Sequence, residues 1–135
     1  MRRLLIAAIA LLIVTLPVRA EEPADSIQAV IIAQIDALQA NDLPAAFSHA
    51  SPMIQSKFGN PESFGEMVRI GYPAIWRPAR YEMLALTATP RGPLQTVLLQ
   101  DRQGRFFEAG YEMQQVDGAW RINGVYMKSL PGIGS

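Results

Sequence analysis

Two residues near the carboxyl end, Asp117 and Gly118, place the strongest constraint on how this chain can fold. They lie between two runs in which apolar and polar side chains alternate, which is the sequence pattern of a β-hairpin. Both central residues of a two-residue type I′ turn need positive φ, and an Asp-Gly pair tolerates that conformation. We therefore predict a hairpin over residues 108–127, with its turn at these two residues.

A two-residue turn also determines which residues of the two strands face each other. The pairs on one face are largely apolar, namely Met113 with Ile122, Tyr111 with Gly124, and Ala109 with Tyr126. The pairs on the other face are polar, namely Gln114 with Arg121, and Glu112 with Asn123. This segregation is typical of an antiparallel sheet that buries one face. We expect Tyr111 to cover Gly124, and Trp120 and Tyr126 to belong to the core.

The first 20 residues have the parts of a secretory signal peptide. Arg2 and Arg3 form a positive region, residues 4–16 are apolar, and Val18 and Ala20 are the small residues that precede a cleavage site. The alternative is an uncleaved membrane anchor, but the apolar run is shorter than the roughly 20 residues that a spanning helix needs. We therefore expect cleavage after Ala20 and export to the periplasm or the medium.

The composition excludes several classes of site. The chain has no cysteine, which excludes disulfides, a thiol nucleophile and cysteine-ligated metals, and its single histidine excludes a His-rich metal site. We expect no metal and no cofactor. Three of the 12 basic residues lie in the leader, so its removal changes the net charge from zero to −3. This mild acidity, without a basic cluster, argues against a nucleic-acid partner.

The first half of the mature chain has the periodicity of helices separated by capping residues. Ile27, Ile31 and Ile35 share one face of the first helix, which we expect to be heavily buried. The residues predicted to cap helix amino termini are Asp25, with Gln28 three positions on, for the first helix, and Asp42 and Asn60 for later helices. After a polar tether at residues 21–25, the predicted helices cover residues 26–40, 43–50, 53–58 and 61–71.

The second half has the alternation of strands. Residues 72–78 contain two prolines, which exclude a regular helix, so we expect an extended crossing there. The predicted strands cover residues 80–86, 94–100, 105–115 and 119–128, with a loop at Pro90, Gly92 and Pro93 and a flexible tail at 129–135. Helices followed by strands indicate the α+β class. We expect one domain over residues 26–128, with the helices in the concave face of a curved four-stranded antiparallel meander sheet.

This order of elements, with its ending Asp-Gly-Ala-Trp-Arg-Ile-Asn-Gly-Val, resembles the nuclear transport factor 2-like superfamily of cone-shaped α+β domains. Residues 50–78, ASPMIQSKFGNPESFGEMVRIGYPAIWRP, are similar more narrowly to the exported bacterial family called domain of unknown function 4864. The resemblance implies a cone fold and an exported location. It implies no single activity, because the wider superfamily includes enzymes as well as binding and dimerisation modules.

His49 is the first candidate for a functional side chain. It titrates near neutral pH without needing a perturbed environment, and a carboxylate such as Asp42 or Glu112 would orient it as a general base. The alternative interpretation is a histidine at a helix carboxyl terminus, where it interacts with the last carbonyl groups.

Tyr72, Trp76 and Arg77 form the second candidate. Two aromatic rings and a guanidinium group around two prolines would suit the rim of the open end of the cone, where a ligand would bind. The alternative is a hydrophobic plug with a surface arginine that holds the crossing in place. Glu108 and Glu112, expected on the polar sheet face, form either a pocket floor or a solvated surface.

Three functions stay open at this point. The one we favour is non-enzymatic binding of a small apolar ligand or of a protein partner, since the sequence contains no catalytic constellation. The second is a small isomerase or hydrolase that uses His49 as acid and base. The third is a dimerising accessory subunit that acts through its sheet face.

Overall fold

Helices precede strands along the whole domain, in a computed structural model that describes residues 7–16 and 22–132. The elements in these ranges are α1 (Pro23–Gln39), α2 (Leu43–Ser48), α3 (Pro52–Phe58), α4 (Pro61–Gly71), α5 (Pro73–Trp76), β1 (Arg80–Thr89), β2 (Gly92–Gln100), β3 (Phe106–Val116) and β4 (Ala119–Ser129). The strands form one open, curved antiparallel sheet in the order β1-β2-β3-β4. The predicted α+β class and meander topology are confirmed.

The amino-terminal segment does not pack on the domain. Residues 7–16 lie outside every helix and strand, and Leu11, Leu12 and Ile13 are each at least 77% exposed. Arg2, Arg3 and the expected cleavage site after Ala20 fall outside the described residues. None of the helices in the described ranges combines the length and the apolar character that crossing a bilayer requires.

Local sequence signals account for the starts of the helices. Asp42 Oδ1 accepts a hydrogen bond from Ala45 N at 3.2 Å, and Asn60 Oδ1 accepts one from Ser63 N at 2.8 Å. These contacts confirm the predicted caps of α2 and α4, and a proline follows each cap in the first turn, where no backbone donor is needed. Helix α1 begins earlier than predicted, at Pro23, inside the segment expected to be a tether, so Asp25 lies in its first turn and the cap predicted there is wrong.

The core lies between α1 and the inner face of the sheet. Ile27, Ile31 and Ile35 are completely buried, as the helical periodicity predicts. Their partners in the same apolar cluster are strand residues: Val97, Leu99, Ala109, Tyr111, Met113 and Ile122. Each buried isoleucine contributes roughly 2 kcal/mol to folding, so this single helix face accounts for much of the driving force.

The carboxyl-terminal hairpin has the predicted turn but only part of the predicted register. Asp117 and Gly118 adopt φ values of 51° and 80°, as a type I′ turn requires, and Met113 pairs with Ile122. The register then shifts, because Glu112 pairs with Gly124 and leaves Asn123 without a partner on β3. Asn123 is therefore the extra residue of a β-bulge.

The bulge makes the predicted pairs beyond it wrong by one residue. Tyr111 pairs with Val125 and Ala109 with Met127, and not with the predicted Gly124 and Tyr126. The side chain of Tyr126 therefore lies on the outer face of the sheet, 43% exposed, and not in the core. The aromatic ring that covers a strand glycine is consequently that of Tyr126, which lies over Gly110. Trp120, before the bulge, packs against the core as predicted.

Two proline-containing segments also differ from the sequence predictions. Residues 72–78 are not fully extended, because Pro73 begins the one-turn helix α5, and a proline is tolerated at a helix start. The predicted loop after β1 is shorter than expected, since Gly92 and Pro93 already pair with Thr89 and Ala88. Thr89 closes this turn by donating its hydroxyl to Gly92 O at 2.7 Å.

Candidate functional site

A cavity of about 290 Å³ lies between α3, α4 and the edge strand β4, with α1 behind it. Most of its wall is apolar, and these side chains are Ala50, Met53, Ile54, Phe58, Phe64, Met67, Val68, Ile75, Ile122 and Val125. Four polar side chains complete the wall: Gln34, Lys57, Tyr72 and Asn123. A concave apolar surface with a few polar groups is the usual character of a small-molecule site.

Two short helices form one side of this cavity because the chain reverses sharply between them. Gly59 adopts a φ of 81°, a left-handed conformation that glycine reaches without steric cost, and it ends α3. Asn60 then caps α4. The reversal brings the ring of Phe58 to 6.2 Å from that of Phe64, centroid to centroid, so both rings line the same wall.

The bulge in β4 forms the opposite side. In an unbroken strand Ile122 and Asn123 would point to opposite faces of the sheet. Here both residues line the cavity, and the side chain of Asn123 reaches Ser51 at the start of α3, because the extra residue interrupts that alternation. Bulges commonly redirect a side chain in this way next to functional sites.

Asn123 is held in one orientation by Ser51. Ser51 Oγ donates to Asn123 Oδ1 at 2.7 Å and accepts from Ile54 N at 3.3 Å. Ser51 Oγ therefore contacts the carbonyl end of the Asn123 amide. The Nδ2 group of Asn123 is consequently the end of the amide that is available to the cavity.

Gln34 brings a second amide to the wall from a helix face that is otherwise apolar. It is only 4% exposed, and its Nε2 donates to Ala46 O at 3.2 Å. That contact uses one of the two N–H donors of the amide, so the second donor and the carbonyl oxygen remain. Its pairing with α2 explains how a polar side chain is accommodated between Ile31 and Ile35.

Lys57 supplies the single formal charge among the residues that line the cavity. Its Nζ lies 5.6 Å from the centroid of the Phe58 ring, which is itself a wall residue. An ammonium group at this distance from an aromatic centroid makes a cation–π contact. Lys57 is an exposed lining residue, so we place its charge at the mouth of the cavity.

Of the three side chains predicted to form a ligand rim, the structure brings one to this cavity. Tyr72 lines it, and its hydroxyl donates to Val125 O at 3.4 Å. Trp76 and Arg77 lie outside its lining. Arg77 instead donates to Leu38 O and to Asn41 Oδ1, each at 2.7 Å. Its guanidinium carbon lies 4.4 Å from the Trp76 ring centroid. These contacts tie the crossing to the end of α1.

His49 lies at the carboxyl end of α2 and outside the cavity lining. Burial, and then the nearby cation of Arg121, lower the pKa of His49 below its ordinary value of about 6.5. Of the two carboxylates predicted to orient His49, Asp42 caps α2, and Glu112 Oε1 lies 3.7 Å from a guanidinium nitrogen of Arg91. The ion pairs in the described part of the chain include none with His49. The structure thus places a cation beside the imidazole, and not an orienting carboxylate.

The acidic residues of β3 do not converge with Asn123. Glu108 pairs with Lys128, and Glu112 pairs with Gly124, on the outer face of the sheet. The predicted pairing of Glu112 with Asn123 is wrong, because the bulge moves Asn123 to the cavity. Within residues 7–16 and 22–132, no group of three or more His, Asp or Glu side chains is arranged to hold a metal ion.

Sequence reasoning missed Gln34 and Lys57, and it placed Asn123 opposite Glu112 on the polar face of the sheet. A signal existed for Gln34, because a glutamine between buried isoleucines must either find a partner or line a polar site. The Asn123-Gly124 pair inside a strand pattern was a signal for a bulge. Nothing local marks Lys57, since a basic residue in the last turn of a helix is ordinary.

Comparison with known proteins identifies a family. The model of the family described as domain of unknown function 4864 (DUF4864) matches residues 20–134. Among solved structures, the chain is similar to Aln2 from a Streptomyces species, with 12% identity and a TM-score of 0.45 over 82% of this chain and 94% of that one. No curated protein matches the sequence. The family match spans most of the chain, and the protein therefore belongs to the DUF4864 family.

Proposed function

We propose that this protein is an exported binding module that holds a small apolar ligand in the cavity between α3, α4 and β4. The observation that carries the proposal is the cavity itself, about 290 Å³ in volume and lined mainly by aliphatic and aromatic side chains. That volume is close to the lower end of the range of about 300–1,000 Å³ for ligand sites, so the ligand is small. Burying such a ligand would remove the exposed surface of Met53 and Ile54 from water.

The architecture supports a site that is formed before the ligand arrives. Caps at Ser51 and Asn60 define the ends of the two wall helices, and Ser51 joins the first of them to β4. A wall built from such elements loses little conformational entropy on binding, which favours affinity.

Export is the second part of the proposal. The signal-peptide pattern of the leader supports it, and so does the lack of packing of residues 7–16 on the domain. The family match begins at residue 20, where the expected cleavage occurs. The test is to express the full chain in a Gram-negative host and sequence the amino terminus of the product. A periplasmic protein that begins at Glu21 is expected, and an intact Met1 in the cytosolic or membrane fraction would overturn this part.

The ligand site is tested on the exported protein with a neutral apolar fluorophore, N-phenyl-1-naphthylamine. We expect its fluorescence to rise on binding. Ile54→Trp, which fills the cavity, should weaken binding at least about tenfold, as the loss of a well-buried contact surface requires. Ile70→Trp is the matched control, because Ile70 lies on α4 but is 66% exposed and outside the lining. Equal binding by both variants, with both folded by circular dichroism, would exclude this cavity.

Assembly through the outer sheet face is a second candidate function. The ring of Tyr126 is 43% exposed on that face and lies over Gly110, so it offers an aromatic surface to a second copy of the chain. Sedimentation equilibrium over a wide range of protein concentration tests it. A dimer that Tyr126→Lys dissociates would support this function, and a monomer at every concentration would exclude it.

A further inference from the structure

One of the four polar side chains of the cavity wall carries a charge, and that charge is positive. Lys57 is basic, while Gln34, Tyr72 and Asn123 are neutral, and no aspartate or glutamate lines the cavity. Lys57 takes part in none of the ion pairs of the described residues. The cavity therefore presents a cation without a neighbouring carboxylate to neutralise it, beside a largely apolar interior.

The donors available to a ligand also exceed the acceptors. Asn123 offers its Nδ2 group, because Ser51 occupies its carbonyl oxygen. Lys57 offers up to three N–H donors. Tyr72 donates its hydroxyl hydrogen to Val125 O, so the hydroxyl oxygen of Tyr72 and the carbonyl oxygen of Gln34 remain as side-chain acceptors. A ligand group that accepts several hydrogen bonds and carries negative charge fits this arrangement, and a carboxylate has both properties.

We propose that the ligand is an amphipathic monoanion, with an alkyl or aryl body in the cavity and one carboxylate group at Lys57 and Asn123. This inference rests on the proposed function and specifies its substrate class. One cation at the mouth balances one negative charge, so a monocarboxylate is a better match than a dicarboxylate. The apolar side chains of the wall, such as Phe58 and Val68, would contact the alkyl or aryl body of the ligand. Its carboxylate would remain at the opening, where it keeps part of its hydration.

The test compares three ligands with the same chain and different heads: decanoate, decanol and decylamine. Each displaces N-phenyl-1-naphthylamine from the exported protein at pH 7.5, below its micellar concentration. Decanoate should bind about tenfold more tightly than decanol, as one charge-assisted hydrogen bond predicts, and decylamine should bind most weakly.

Variants assign the preference to the two named side chains. Lys57→Gln should bring decanoate to the affinity of decanol, and Lys57→Arg should retain most of the preference. Lys128→Gln is the matched control, because Lys128 is an exposed lysine on β4 that lies outside the cavity. Asn123→Asp keeps the acceptor for Ser51 but adds a negative charge. It should therefore weaken the binding of decanoate and leave the affinity for decanol nearly unchanged.

The outcomes separate this inference from the proposed function. Equal affinity for decanoate and decanol, or tighter binding of decylamine, would overturn the carboxylate assignment and leave apolar binding intact. If none of the three ligands displaces the fluorophore, or the fluorophore itself does not bind, the proposed function fails and the inference fails with it. A preference for decanoate that survives both Lys57→Gln and Asn123→Asp would place the head group elsewhere.

Discussion

Ser51 and Asn123 join the helical half of the domain to the sheet through a hydrogen bond of 2.7 Å between their side-chain oxygens. The backbone reinforces this contact, since Ser51 N donates to Ile122 O and Ile122 N donates to His49 O, each at 2.8 Å. Residues 49–51 thereby pair with part of the edge of β4, where unpaired backbone groups would otherwise face solvent. The same contact holds the amide of Asn123 at the cavity wall.

Ser51→Ala should therefore affect both stability and binding. The variant loses the cap of α3 and the partner of Asn123, so we expect a loss of about 1–3 kcal/mol in the free energy of unfolding. Urea denaturation measures this change, with Ser56→Ala on the exposed side of α3 as the control. We also expect weaker fluorophore binding, because the freed amide can rotate. An unfolding free energy equal to that of Ser56→Ala would show that the contact contributes nothing.

Arg77→Ala should destabilise the protein without changing ligand affinity. The guanidinium group donates hydrogen bonds to the carbonyl oxygens of Leu38 and Trp76 and to the side chain of Asn41. Its loss should lower the free energy of unfolding by about 1–3 kcal/mol. Arg77→Lys should recover little of this, because an ammonium group cannot reproduce the planar fork of donors. Thermal unfolding is the measurement, and exposed Arg102→Ala is the control. A clear loss of ligand binding in Arg77→Ala, with stability unchanged, would instead return Arg77 to the site.

Asp101 should make stability depend on acid pH. Its Oδ1 accepts from Gln103 N and Arg105 N, and its Oδ2 lies 2.7 Å from Arg105 Nε. Burial alone would raise the pKa of Asp101, but these hydrogen bonds and the Arg105 charge outweigh burial and hold that pKa below its ordinary value. The folded protein then binds fewer protons than the unfolded one. This stabilisation is complete above about pH 4 and is lost as the pH falls through the folded-state pKa.

Asp101→Asn tests that dependence. The new amide keeps an acceptor for the turn but removes the charge. We therefore expect the free energy of unfolding to fall by about 1–2 kcal/mol at neutral pH. The difference from the unmodified protein should shrink as the pH falls below about 4. Glu66→Gln, which breaks the exposed pair with Arg69, is the control and should have little effect. A difference that stays constant over the whole pH range would contradict the assignment.

His49 should titrate below the ordinary range of histidine, because burial and the Arg121 cation both disfavour its charged form. Its neutral form therefore contributes stability above about pH 6.5, and this is lost as the pH falls through the folded-state pKa. NMR titration of the imidazole measures that pKa directly. Arg121→Gln should raise it, although not to the ordinary value, since burial remains. A pKa at or above that of a model peptide would be inconsistent with this environment.

Gly110→Ala tests the register beyond the bulge. A methyl group at this position would meet the ring of Tyr126, so we expect a loss of about 1–3 kcal/mol in the free energy of unfolding. Replacing the ring in the double variant with Tyr126→Ala should relieve most of that effect, as a double-mutant cycle would show. Gly71→Ala is the control, because no heavy atom lies within 4 Å of the position that its new methyl group would take. Additive losses in the cycle would contradict the contact.

The sequence alone determined the features that depend on neighbouring residues. Positive φ at Asp117 and Gly118 follows from the chemistry of those two residues, and the burial of Ile31 and Ile35 follows from helical periodicity. The α+β order of elements and the membership of the DUF4864 family were also readable from the residues. Each of these signals lies within a short stretch of chain, where propensity, capping and periodicity act.

Only the tertiary structure decided where those elements meet. Asn123, the extra residue of the bulge, contacts Ser51 across 72 positions of the chain, and Arg77 contacts Leu38 across 39. One inserted residue reverses the alternation of a strand, which moved Tyr126 out of the core and Asn123 to the cavity wall. A cavity is the space left between packed elements, and its volume depends on long-range packing that no local pattern encodes.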